Sequence, residues 1–189
     1  MNTYTSTPST REFFEVWKCV CARRTARLLE VWSLSGKVYT AEILDVENAV
    51  IQEIAAKLGL KVYCGYYHLD AIFYKEHGDR VHCAPQGQTW VQNIRIAFEH
   101  ENHFNSGLFT ETSHLLITRA DLRVLVTYTE EPEETDLKRE LKNLGQIIAE
   151  SDLSADPAFL FIVGKRIDSQ KEVEWRAFTF ENKQLQPLA

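Results

Sequence analysis

Between Asp121 and Thr129 the chain reads Leu122-Arg123-Val124-Leu125-Val126-Thr127-Tyr128, apolar and β-branched nearly throughout, and Phe159-Leu160-Phe161-Ile162 repeats the pattern within Ala158 to Val163. A strand with one wet face alternates polar and apolar side chains, whereas a run like Asp121 to Thr129 has to be covered on both faces and suits a central parallel strand. The intervening segment supplies such cover. Thr135 is placed to cap a helix whose Leu137, Leu141, Leu144, Ile147 and Ile148 share one face. The order strand, helix, strand around two such runs constrains the chain to an α/β fold with a sheet flanked by helices.

Upstream, Ser9 and Glu12 form a capping box, and Phe13, Trp17, Val20, Cys21, Leu28 and Trp32 recur at helical spacing up to Ser35-Gly36. One long amphipathic helix is expected there, as an N-terminal extension of the core. Its aromatic face calls for burial, on its own domain or in a homodimer. Arg23, Arg24 and Arg27 cluster beside the stripe; they suit either a phosphate-facing patch or pairing with acidic neighbours. Lys37 to Leu44 alternates like a short strand. Asp45 then looks like an N-cap for a helix from Val46 to Leu58 that closes at Gly59. Leu60 to Lys75 reads as one bent strand or as two broken at Gly65. Val173 to Phe180 is expected to pair with the preceding strand through a turn at Asp168-Ser169-Gln170-Lys171. The expected boundaries are a tail and helix over 1–36, an α/β core over 37–181 and a polar tail over 182–189.

With 189 residues, 44% hydrophobic and 11% aromatic, the chain is long enough for one full core and short for two. Its 21 Lys and Arg against 27 Asp and Glu leave a net charge of −6, which argues against a protein that coats nucleic acid by bulk electrostatics but leaves room for a local basic cleft. Four of the acids lie in Glu130-Glu131-Pro132-Glu133-Glu134, before a helix start where they suit the dipole. Cys19, Cys21, Cys64 and Cys83 lack zinc-site spacing, and Cys19 and Cys21, two apart on an expected helix, suit buried free thiols rather than a disulfide; with no signal-like apolar segment and no membrane-length run, a reduced, cytoplasmic protein is the expectation.

The chemistry concentrates in Trp90 to Asn102. If this stretch is a strand, Ile94, Ile96, Phe98 and His100 share one face while Arg95, Ala97, Glu99 and Glu101 share the other. Like charges that close cost free energy unless a cation sits between them. Asp70 interrupts the earlier β-rich stretch, where an Asp is disfavoured without a ligand or water. Glu47 projects along the stripe of its expected helix, either as a core-side carboxylate or as a first-turn partner of the dipole. His100 faces the core in this register and reads as a hydrogen-bonded core histidine. His68, in phase with Asp70, is a modest candidate; His103 and His114 are weaker ones. The bland alternative is that Asp70, Glu99 and Glu101 edge a solvated face beside Arg95 or Lys75.

The order of helix, strand with Asp, strand with Glu-x-Glu, helix and buried strand resembles the PD-(D/E)XK nuclease superfamily over roughly residues 45 to 130. The resemblance implies a restriction-endonuclease-like mixed sheet with an αβββαβ core, and metal-dependent hydrolysis of phosphodiester bonds in DNA or RNA. It implies Asp70 and Glu99 as ligands of Mg2+ or Mn2+, Glu101 as proton acceptor or second-ion ligand, and Glu47 as a helper from the first core helix. The chain departs from the pattern in carrying Leu69 where Pro usually precedes the Asp, and Glu101 where Lys usually ends the motif. A decayed binding or regulatory protein on the same scaffold is the alternative, with a metal-free small-molecule binder behind it.

Overall fold

The computed structural model describes residues 7–81, 89–104, 107–129, 134–151, 158–167 and 172–188. Within them lie six helices and a seven-stranded mixed sheet: α1 (Thr10–Arg23), α2 (Thr25–Leu34), α3 (Gly36–Leu44), α4 (Val50–Lys57), β1 (Lys61–Tyr66), β2 (Leu69–Tyr74), β3 (Ile94–Glu101), α5 (Leu108–Ile117), β4 (Ala120–Thr129), α6 (Glu134–Glu150), β5 (Phe159–Ile167), β6 (Glu172–Glu181) and β7 (Gln184–Pro187). The strands lie in sequence order across the sheet. Neighbours are antiparallel except β3 with β4 and β4 with β5, so β4 is the parallel centre its composition demands. Alternate side chains feed two cores. Phe98, Val124, Val126 and Ile162 meet helices α1 to α4 on one face, while Ala97, Leu125, Phe161 and Phe178 meet α5 and α6 on the other.

The N-terminal region differs from expectation in three places. The single long helix is two, separated at Arg24, where the Thr25 hydroxyl bonds the carbonyls of Cys21 and Ala22 and competes with the helical ladder. Lys37 to Leu44 is not a strand but lies within α3. Tyr39 and Ile43 are four apart as well as alternating, and the Ser35 hydroxyl accepts the Val38 N–H as an N-cap. Helix α4 starts at Val50, four residues later than expected, because Asn48 takes a left-handed conformation (φ 62°) that closes a turn over 45–48. It ends as predicted: Gly59 (φ 67°) lets Leu60 N–H reach Ala55 O at 2.8 Å.

Phe13, Phe14 and Trp17 are buried against the sheet, so α1 is part of the core rather than an extension, and its aromatic face is already covered. The 182–189 tail likewise contributes β7, paired with β6. Cys21 is buried as expected, Cys19 is exposed against the expectation, and Cys64 is half-buried; all three are free. Cys83, the acidic residues 130–133 and the turn at 168–171 lie outside the described residues. No described helix is long and apolar enough to cross a membrane.

Candidate metal centre

β2 and β3 pair from Phe73↔Ile96 to Ala71↔Phe98. One step further the ladder opens, and carboxylates take over its amides. Asp70 N–H donates to Glu99 Oε2 (3.1 Å), and His100 N–H donates to Asp70 Oδ2 (2.8 Å). Each acid thus accepts an amide of the other's strand, which fixes both side chains. Glu99 points to the face covered by α5, where it is 1% exposed. Asp70 is half-buried beside it.

Helix α5 brings two further donors. His114 Nδ1 lies 3.3 Å from Glu99 Oε1 and 3.3 Å from Glu111 Oε2, and ligand atoms of Glu99, Glu111 and His114 all fall within 4.8 Å of one another. Glu111 and His114 stand one turn apart, so a single helical face presents both. The His68 ring, at the β1–β2 turn, stacks against His114 with centroids 5.8 Å apart. Burial, followed by the charges of Asp70 and Glu111, pushes the Glu99 carboxyl up to about 10. Asp70 is raised as well, by burial first. Without a cation the pair therefore holds a proton at neutral pH.

Two other carboxylates among the described residues are buried, Asp79 as deeply and Glu42 somewhat less, and both are paired with arginine. Asp79 receives the Arg95 guanidinium through both oxygens (Nη2–Oδ1 2.6 Å, Nε–Oδ2 2.7 Å) and the Lys75 N–H at 2.9 Å. Glu42 receives Arg24 at 3.2 Å and Arg27 at 3.1 Å. Arg24 also bonds Glu53, as does Arg23, so the basic cluster pairs with acidic neighbours of its own chain. Arg95, offered above as a partner for the β3 carboxylates, is committed to Asp79 and Asp121. Among the described residues no Arg or Lys pairs with Asp70, Glu99 or Glu111.

The expected site residues separate into two that meet and two that do not join them directly. Asp70 and Glu99 interlock as described. Glu101 is on the same strand, half-buried, but its carboxylate turns to the His103 N–H (2.6 Å) and packs on Gly107, where a Cβ would overlap it. Glu47 does not project along the α4 stripe: it is exposed in the turn before the helix, since that helix begins only at Val50. His100 faces the opposite core, buried, with Nε2 2.7 Å from the Tyr128 hydroxyl; burial lowers its pKa to about 3. Glu111 escaped the reading of the sequence, although Glu111-x-x-His114 directly after the Glu-x-Glu strand is a signal for two donors on one helical turn.

No family model matches the chain. No curated protein and no solved structure matches it either. The donor set itself is therefore what carries the functional reading: Glu99, Glu111 and His114, brought together by one strand and one helix, are a group that could hold a metal ion, and Asp70 bonds Glu99 from the neighbouring strand without joining that group.

Proposed function

We propose that this protein is a divalent-cation-dependent phosphodiester hydrolase acting on DNA or RNA, on a restriction-endonuclease-like scaffold. The order α4, β1, β2, β3, α5, β4 follows the αβββαβ pattern of the PD-(D/E)XK superfamily, with Asp70 on the second strand and Glu99-x-Glu101 on the third. The observation that carries the reading is that buried Glu99, bonded to Asp70, has no Arg or Lys partner, whereas the other buried carboxylates among the described residues, Glu42 and Asp79, each have an arginine. A cation bound there supplies the positive charge that makes an attacking water nucleophilic and steadies the leaving oxygen.

The chain's own residues do the rest. Asp70 and Glu99 keep their oxygens in place through the exchanged amides, so little reorganisation accompanies binding. Glu101, at the rim of the same strand face, takes the proton of the attacking water after leaving the His103 amide. His68, exposed at the turn, positions His114 by stacking.

The test is cleavage of plasmid and single-stranded oligonucleotides in Mn2+, Mg2+ or Zn2+, with wild type and Asp70→Asn. The expected result is cation-dependent nicking that falls at least ~100-fold in the variant, the scale on which loss of a positioned electrostatic group acts. Absence of cleavage in all three ions overturns the proposal and favours the second reading, a decayed binding protein. That reading draws on Glu101, which stands where the family's Lys would and is turned to a backbone amide.

A further inference from the structure

We infer that Glu99, Glu111 and His114 form a three-donor centre for a borderline transition-metal dication, Mn2+ or Zn2+, in preference to Mg2+. The inference deepens the proposed function and rests on reading this site as a cation centre, but it does not require that nucleic acid be the substrate.

Spacing is the first argument. Ligand atoms about 2.1 Å from one ion stand about 3.0 Å apart in octahedral and about 3.4 Å apart in tetrahedral geometry. His114 Nδ1 sits 3.3 Å from an oxygen of each glutamate, inside that range on both sides. With the two glutamate oxygens also within 4.8 Å of each other, the three donors flank a point that an ion could occupy once their rotamers adjust.

Donor chemistry is the second. Mg2+ prefers oxygen, demands near-ideal octahedral geometry and gives up its waters reluctantly. An imidazole nitrogen suits Zn2+ and its neighbours in the transition series, and Mn2+ tolerates carboxylates beside it. One nitrogen and two carboxylate oxygens therefore shift the preference away from Mg2+. The carboxylates supply the two negative charges that a dication balances.

Rigidity is the third. Glu99 is held on β3 by the Asp70 amide, while Glu111 and His114 come from the same turn of α5, and α5 is packed over β3 through Leu108 and Leu115. Donors fixed by a strand and a helix place a site more sharply than donors on loops. The rival account is that a protonated His114 is merely the counter-ion of Glu99 and Glu111. It predicts a chain indifferent to metals.

The experiment titrates the chelator-stripped full chain with MnCl2, ZnCl2 and MgCl2, following heat and thermal midpoint, without nucleic acid. The expected result is one Mn2+ and one Zn2+ bound at least ~10-fold more tightly than Mg2+, each raising the midpoint. His114→Gln should weaken Mn2+ and Zn2+ at least ~10-fold while leaving Mg2+ within about threefold; Glu111→Gln should weaken all three. Co2+ loading adds a readout that needs no variant: d–d absorption without a thiolate charge-transfer band places the ion away from the cysteines. Equal affinity for Mg2+ and Mn2+, a thiolate band, or no binding at all overturns the inference. If Mn2+ and Zn2+ bind as stated but no nucleic acid is cut, the hydrolase reading fails and the metal assignment stands. If cleavage in Mn2+ proceeds and neither it nor Mn2+ affinity responds to His114→Gln, the assignment fails and the hydrolase reading stands.

Discussion

Asp79 and Glu99 lie on the same side of one small protein and are equally buried, at 1% side-chain exposure each, yet they are handled in opposite ways. Asp79 is wrapped by a guanidinium. Burial pushes its pKa up, but the Arg95 fork and the Lys75 amide outweigh that and hold it below the ordinary value. Glu99 meets two more acids and an imidazole, and its pKa rises. A carboxylate that has its arginine needs nothing more. One that lacks it must keep a proton or take a cation, so the contrast separates a charge-paired acid from one left open to a proton or a cation by its neighbours, not by its depth.

The largest effect is expected where the charge-paired acid loses its partner. Arg95→Ala leaves Asp79 buried and unpaired beneath the turn over residues 75–79, and removes the tie to Asp121, so stability should fall by ~3–5 kcal/mol. Urea unfolding checks it. A loss below about 1 kcal/mol would mean that Asp79 takes up a proton or water without cost, and the contrast with Glu99 would collapse.

Next in size is the acid limb. His100, one residue along β3, is neutral in the fold, with its pKa lowered by burial from 6.5 to about 3. A depressed folded value contributes stability that is present above the unfolded pKa and lost as pH falls, so between pH 6.5 and 3 the unfolded chain gains a proton that the native state refuses. The loss should reach roughly 2–3 kcal/mol by pH 4. Ring 15N shifts should remain those of a neutral imidazole until the protein unfolds; protonation of the folded form near pH 6 would contradict the burial argument.

Glu99 works in the reverse sense. Its folded value is raised, so its contribution is complete below the unfolded pKa of 4.5 and is lost progressively as pH climbs towards about 10. The two neighbours on one strand therefore squeeze the metal-free protein from both sides, and its best stability should fall between pH 4.5 and 6.5. Glu99→Gln, which keeps the shape and needs no proton, should stabilise the metal-free chain at pH 7 by roughly 1–3 kcal/mol, with a gain that grows with pH. Thermal midpoints from pH 4 to 9 in chelator test this. A destabilised Glu99→Gln at neutral pH would show that the carboxylate is satisfied as it stands.

How much of this was written in the chain depends on range. The strands β4 and β5 could be read because burial on both faces leaves no alternation, and the facing of His100 against Glu99 followed from a period of two. Helix α3 was misread because Tyr39 and Ile43 satisfy both periods in a short window. Glu47 was misplaced because one residue, Asn48, turned left-handed and delayed α4. The pairing of Asp70 with Glu99 was partly visible as two acids on adjacent strands. That Arg95 would go to Asp79, leaving those acids to α5, depends on contacts 16 and 26 residues away along the chain, and no local pattern encodes them.

The smallest expected effect belongs to Glu42, which has two arginines where Asp79 has one. Arg24 is four-fifths buried and reaches Glu42, Glu53 and the Asn48 carbonyl, so Arg24→Ala should cost about 1–2 kcal/mol through lost bonds and packing. Arg27 is half exposed, spends one nitrogen on Glu30 at the surface, and leaves Glu42 still paired when it is removed. Arg27→Ala should therefore give no measurable change in the urea midpoint, because water replaces an exposed partner and Arg24 keeps the charge balanced. The double variant is the sharper measurement. Once both guanidiniums are gone, Glu42 is in the position of Glu99 without its imidazole, and the loss should exceed the sum of the single losses. Simple additivity would mean that Glu42 is hydrated well enough to need neither arginine, and that burial as deep as 8% side-chain exposure does not by itself demand a counter-charge in this fold.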